Sequence, residues 1–361
     1  MPRILIDAHE DIAYSAINFN RDYSKSSKFI REIEINTEIP THNGHALLGY
    51  DDWIKANVAM VFSTLFIMPK KYQEGDWEKV SYKDFGEARS LLQKQMDFYH
   101  RLENDHPEKF LILKNSNQYK THWLQWEDEH LLSKPIGLVL LLEGAEGIRY
   151  PQEIEEWFHQ GLRIVGLSWA GGKYSGGMYE PGGITHQGRL MMEIMVDLNM
   201  GLDIAHMSEE AAFQALDIYE GVVLCSHANV KKLINGFGGE RHLSDPIIKK
   251  IAERNGVIGL MPYNNFLDPD WTKYEPRDKV PLNLFVNHID HICQLTGNAE
   301  NVAIGTDFDG GFGYPEVPFE LNSIADLPKL AEFLTSRGYN ESDIRSIFGL
   351  NWKRITDRIF E

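Results

Sequence analysis

The sequence predicts an α/β fold: a (β/α)8 barrel of the TIM type, with insertions and a metal site at the C-terminal ends of the strands. Eight short apolar runs alternate with helical patterns along 361 residues. Five of those runs finish on a histidine or a carboxylate. The length exceeds the roughly 250 residues of a plain barrel, which leaves room for insertions.

The runs, in order, are "RILIDAHED" from Arg3, "VAMVFSTLFI" from Val58, "IGLVLLLEG" from Ile136 and "RIVGLSWAG" from Arg163. They continue as "GLDIAHMS" from Gly201, "VVLCSHAN" from Val222, "GVIGLMPYNN" from Gly256 and "NVAIGTDFDG" from Asn301. Each is rich in β-branched or aliphatic residues and ends in polar or turn-forming ones, the pattern of a short buried strand. Helix patterns follow over Phe85–Leu102, Pro151–Gln160, Thr185–Asn199, Glu209–Tyr219, Asp245–Asn255 and Asn283–Thr296. The last meets Gly297 in "LTGN", a residue suited to ending a helix. Two stretches are read as insertions: Ser15–Tyr50, polar and without clear period, and Lys109–Lys134, holding "FLILKN" and "THWLQWEDEH". A doubly wound open sheet would carry a Gly-rich phosphate turn after an early strand. "EGAEG" after the third run lacks that pattern. The whole chain, 1–361, is expected to form a single domain.

Hydrophobic residues make up 43%, enough for a substantial core. The net charge of −17 comes from 53 acids against 36 Lys plus Arg, without a basic cluster, and argues against nucleic acid or an anionic membrane as partner. The two cysteines, Cys225 and Cys293, form no CxxC motif, so neither a disulfide framework nor a thiolate metal site is expected. The first strand begins almost at Met1 and the apolar runs are too short to span a bilayer. The expectation is a soluble cytoplasmic protein.

The strand ends carry the chemistry. In this fold the active site is built from the C-terminal ends of the strands. The first run closes on His9 and Asp11, the third on Glu143, the fifth on His206, the sixth on His227, and the eighth on Asp307 and Asp309. His9 and Asp11 are two apart, so they point to one side of an extended chain. Asp7 and Glu10 are expected to face solvent or cap the following turn. His206 and His227 lie on adjacent strands, whose ends are about 5 Å apart. Three histidines and three or four carboxylates at one barrel mouth suit zinc or a similar divalent ion, with charge for two. Glu143 is the only charged residue closing the third strand and is the natural bridge. No lysine closes a strand, so a carbamylated-lysine bridge is not expected. His42, His45 and His186 are read as loop residues, and Cys225 as a small buried one.

These residues and their flanks resemble the membrane dipeptidase (renal dipeptidase) family of the amidohydrolase superfamily, in a bacterial-type form. The likeness covers nearly the whole chain. It rests on "DAHEDI", "LLEGAEG", "GLDIAHMS", "SHAN", "GERHLSDPIIKKIAERNGVIGL", "NVAIGTDFDGG" and "FGLNWKRI". The resemblance implies two zinc ions, one held by His9, Asp11 and Glu143, the other by Glu143, His206 and His227. It implies a bridging water or hydroxide that attacks a peptide carbonyl. Asp307 would handle protons there, and Arg241, after the Gly-rich "NGFGGER", would bind the substrate's terminal carboxylate. The family's best-known members carry a histidine after the fourth strand, where "GLSWAGG" places Trp169; indole N–H is a donor only, so the substrate is what this change puts in question. The expected substrate is a dipeptide, with tolerance of a D-residue at the C-terminal position among the expectations. Barrels of this family are often dimers, so a homodimer is admitted. The alternatives are another amidohydrolase-type reaction, on a lactone, an N-acyl amino acid or a cyclic amide, and a non-catalytic peptide-binding barrel.

Overall fold

The computed structural model describes residues 3–131 and 134–361. Met1 and Pro2, and Leu132 and Ser133 in the second predicted insertion, lie outside them. All eight runs form strands: β1 (Leu5–Glu10), β2 (Val58–Phe66), β3 (Ile136–Glu143), β4 (Leu162–Gly166), β5 (Gly201–Asp203), β6 (Val222–Leu224), β7 (Ile258–Leu260) and β8 (Val302–Ile304). Every residue in them is buried. Strands covered on both faces read as continuous apolar runs rather than alternating ones, which is why they stand out in the sequence.

Strands β1 to β6 pair in order, all parallel, within one sheet. Strands β7 and β8 pair from Ile258↔Val302 to Leu260↔Ile304. Parallel bridges Cys225↔Ile258 and Glu10↔Phe308 join these groups and carry the ring back to β1. This is the predicted (β/α)8 arrangement. Two glycines make the closure tight. A Cβ at Gly259 or at Gly305 would sit 1.9 Å from the Ser226 carbonyl oxygen. Only bare backbone lets β7 and β8 pass this close to the turn that carries His227.

The connecting helices match the sequence pattern within a few residues. Helix Phe85–Asp105 starts where the Asp84 side chain accepts from the Glu87 N–H. Helix Glu209–Ile218 starts where Ser208 accepts from Ala211 N–H, and helix Leu282–Thr296 ends at Gly297, with φ of 85°. Such caps satisfy N–H and C=O groups that the helix ends leave free. One buried apolar cluster runs from Ile4 to Phe360.

Both insertions are more ordered than their composition indicates. Helix Ile12–Phe19 runs into the first, which also contains helices Ser27–Glu34 and Ile39–Asn43. They are one to two turns long, too short to display a period. Tyr23, Ile30, Leu47 and Leu48 tie this segment to the core, and polar contacts add to them: Arg21 donates to Glu34 at 2.8 Å and to the Gly44 carbonyl at 2.9 Å, and its Nη1 lies 3.3 Å from Asp309. In the second insertion, Phe110–Ile112 pairs with the first half of β3, and the β3–β4 pairing occupies the second half. Helix Ser116–Glu127 follows, capped by Asn115.

Candidate metal centre and substrate cavity

The functional side chains lie at one mouth of the barrel, on or just past the strand ends. His9 is inside β1 and Asp11 follows it; Glu143 is the last residue of β3. His206, His227 and Asp307 each sit three residues beyond their strands, in the turns that follow β5, β6 and β8. His206 and Asp307 have left-handed backbone, with φ of 62° and 57°. That conformation is uncommon outside glycine and costs energy, so the surroundings must hold it in place. It turns both side chains inward over the mouth.

Glu143 is the centre of the group. Its Oε2 lies 3.1 Å from His9 Nε2. Its Oε1 lies 2.8 Å from His206 Nε2 and 3.6 Å from His227 Nε2. The two oxygens therefore face different imidazoles. His206 Nε2 and His227 Nε2 are 2.9 Å apart, and His9 Nε2 is 3.9 Å from Asp307 Oδ1. Candidate ligand atoms gather in two sets, His9–Glu143–His227 and His9–Asp11–Asp307, each within 4.8 Å of one another. All three histidines, Glu143 and Asp11 are buried.

A second layer fixes which nitrogen faces inward. Ser226 Oγ lies 3.2 Å from His9 Nδ1 and 2.8 Å from His227 Nδ1. The Ser226 hydroxyl itself bonds the Asp203 carboxylate, which also accepts the Ser226 N–H at 2.9 Å. A hydroxyl oxygen has two lone pairs, so it can accept from both Nδ1–H groups while donating to Asp203. Both Nε2 lone pairs are then free for a cation, the arrangement that supports metal-bound imidazoles. Asp11 Oδ1 accepts from the Thr64 hydroxyl, and His206 Nδ1 lies 3.1 Å from Met178 Sδ.

The electrostatics fit a site for positive charge. Burial works against ionising the His9 imidazole, but the Glu143, Asp11 and Asp307 carboxylates together outweigh it and lift the pKa to about 9. Burial would raise Glu143, yet His9 and His206 hold its carboxyl well below the usual range. Burial, reinforced by Glu143, pushes Asp11 up to about 7. Burial also pushes Asp307 well above the carboxylate range, with Asp11 and Glu143 adding to it. Buried acids crowded this closely are stabilised by cations among them. Nitrogen and oxygen donors in this mixture suit a zinc-like ion.

Above the centre lies a cavity of about 300 Å³ whose lining includes Asp11, Glu143, Trp169, His206, Arg241 and Asp307. Arg241, 7% exposed, donates to the His227 carbonyl at 2.8 Å and lies 2.9 Å from Met261 Sδ. Among the described residues no carboxylate lies within ion-pair distance of it. Trp169 packs edge-on against Phe66 and Tyr179, each at 5.3 Å between centroids, with His206 at 6.0 Å. It is half-buried, both part of an aromatic cluster and part of the cavity wall.

Three strand-end acids lie elsewhere. Asp7 and Glu10 are fully buried and do not face solvent. Asp7 accepts from the Thr306 N–H at 2.7 Å and its hydroxyl at 2.6 Å, tying β1 to the end of β8; Glu10 accepts from Trp53 Nε1 at 3.0 Å. Asp309 accepts from Tyr23 at 2.9 Å and from the Leu47 N–H at 2.8 Å, and so anchors the first insertion. His42 stacks on Trp77, and Cys225 is fully buried.

Comparison with known proteins agrees with this architecture. An uncharacterized protein from the pqqA 5′ region of Klebsiella pneumoniae is 26% identical over 238 residues, 63% of this chain and 84% of its own length. An uncharacterized dipeptidase of Schizosaccharomyces pombe is 25% identical over 294 residues, 77% of this chain and 66% of its own. The fold matches the crystal structure of a metallo peptidase from Rhodobacter sphaeroides, liganded with a phosphinate mimic of the dipeptide L-Ala-D-Ala. That match has a TM-score of 0.79 at 18% identity and covers 99% of both chains. A model of the membrane dipeptidase family, peptidase family M19, spans residues 2–360, and the chain belongs to that family of metallopeptidases.

Proposed function

We propose that the chain hydrolyses dipeptides at a two-zinc centre bridged by Glu143. The observation that carries this is the split of the Glu143 carboxylate, one oxygen toward His9 and the other toward His206 and His227. A carboxylate shared in this way can bridge two cations. In this reading His9, Asp11 and Glu143 hold one ion, and Glu143, His206 and His227 the other. Bound zinc lowers the pKa of a water and polarises the scissile carbonyl.

The chain's own groups do the rest. Asp307, whose carboxylate burial makes more basic, takes the proton of the attacking water and passes it to the leaving amine. Arg241 binds the C-terminal carboxylate through two parallel N–H bonds, which orients the substrate as well as attracting it. Trp169 shapes the wall beside the scissile bond. The phosphinate mimic of L-Ala-D-Ala on the Rhodobacter sphaeroides protein supports extending the substrate class to a D-residue at the second position. A cytoplasmic location, a single domain over residues 1–361 and a homodimer go with this proposal; fractionation, limited proteolysis and sedimentation test them. Among the described residues no helix is long and apolar enough to cross a membrane.

The test is a panel of dipeptides and their C-terminal amides, with L- and D-residues at the second position. Preference for the free acid supports the proposal. Equal cleavage of acid and amide would overturn the Arg241 role and favour another amidohydrolase-type reaction.

A further inference from the structure

The cavity has a buried unpaired cation at one end and unpaired acids at the other. The guanidinium of Arg241, in the segment after β6, is the cation. The acids are Glu74 and Glu78, in the segment after β2. In a ring of eight strands β2 and β6 are four apart, so these two segments face each other across the mouth. Short strand Met68–Pro69 pairs with Ser81–Tyr82, which holds the base of the second segment closed. Glu78 is 3% exposed. Its carboxylate accepts from the Tyr14 hydroxyl at 2.8 Å and the Glu74 N–H at 3.1 Å. Among the described residues neither glutamate has a Lys or Arg within ion-pair distance. A buried carboxylate without a counter-cation is costly, and it is placed where a ligand can supply one. The surrounding surface is aromatic. Trp77 is fixed by stacking on Phe19, at 5.4 Å, and on His42, at 4.9 Å; Tyr14 packs on Phe66 at 5.7 Å.

We infer that this cavity selects dipeptides whose N-terminal residue carries a cationic side chain, lysine or arginine. The inference rests on the dipeptidase reading. With the terminal carboxylate on Arg241 and the scissile carbonyl over Glu143, the side chain of the first residue runs away from Arg241 toward the β2 side. There its methylene stem lies along Phe66, Met68 and Trp77, and its charged head meets Glu78 and Glu74. Long basic side chains bury their stems on apolar surface in this way, and ring faces attract the cation further. The substrate's α-ammonium is a separate group. It sits one carbon from the scissile carbonyl, beside Asp11.

The experiment compares kcat/KM of the zinc-loaded full chain for Lys-Ala, norleucyl-Ala and Ala-Ala, each with L- and D-alanine. Norleucine keeps the stem of lysine and lacks its charge. Lys-Ala is expected to exceed norleucyl-Ala by tenfold or more, and the ratio to fall toward one in Glu74→Gln/Glu78→Gln. The Glu74→Gln change alone, at an exposed position, should lower the ratio part of the way. Norleucyl-Ala cleaved as well as Lys-Ala by the wild type would overturn the inference and leave dipeptide hydrolysis standing. Failure to cleave any of the three would overturn the dipeptidase reading, and the inference with it.

Discussion

Replacing Ser226 with alanine tests how the metal centre is held without touching a ligand. The change removes the hydroxyl oxygen that lies 3.2 Å from His9 Nδ1 and 2.8 Å from His227 Nδ1. Both rings are almost fully buried, at 0% and 1% exposure, so water cannot easily replace the lost partner. Each imidazole is then free to move its proton to Nε2, where it blocks the lone pair. Two net hydrogen bonds at about 1 kcal/mol each amount to about 2 kcal/mol. That corresponds to roughly a 30-fold weaker zinc affinity, within the roughly 10- to 100-fold expected when such outer partners are removed. The assay is chelator competition on metal-free protein, with thermal melting of the same samples as a check on folding. A zinc affinity within about twofold of wild type, in a variant that folds normally, would refute the claim that Ser226 sets the tautomers.

Other changes probe separate parts of the account. Arg241→Lys keeps the charge but loses the fork, so the preference for a free C-terminal carboxylate should fall by tenfold or more in kcat/KM, measured against the amide. Trp169→Ala should reorder a dipeptide panel and leave zinc content unchanged; loss of thermal stability alone would make Trp169 a packing residue. Burial lowers the His122 pKa to about 4, against the usual 6.5, although its Nε2 contact with the Ala59 carbonyl opposes the shift. The unfolded chain therefore binds a proton there before the folded one does. The stability His122 supplies is complete above about pH 6.5, declines as pH falls, and is lost below about pH 4, by about 3 kcal/mol in all. Urea unfolding of His122→Gln should show a shallower decline than wild type over that window.

How much was legible in the sequence follows from what a residue pattern can carry. The barrel strands were legible because burial on both faces demands unbroken apolar runs, and the ligand candidates because charge at the end of such a run is conspicuous. The same conspicuousness misleads at Asp7, Glu10 and Asp309. A carboxylate that ties two strands together looks, in sequence, like one aimed at a cation or at water. Only their partners, Thr306, Trp53 and Tyr23, separate the cases. The helices between residues 12 and 43 were hidden by their length. Ser226, Thr64 and Met178 were missed because a single small or neutral side chain carries no periodic signal. Ser226 lies next to His227, and asking what holds each proposed ligand's second nitrogen would have pointed to it. Glu74 and Glu78 stand in "KKYQEGDWEKV", acidic and aromatic, directly after β2. Attention to whole segments after strands, rather than their last residue, would have found them.

The central claim, a Glu143-bridged pair of ions that drives dipeptide hydrolysis, is tested most directly by titrating metal-free protein with zinc. Bound zinc and the rate of dipeptide cleavage are followed together, for wild type and for Glu143→Gln. The account expects both signals to saturate at two zinc ions per chain in the wild type, and both sites to weaken together in the variant, because a neutral amide is a poor bridge. Full activity at one zinc or fewer, or a variant that loses only one of two sites, would contradict it.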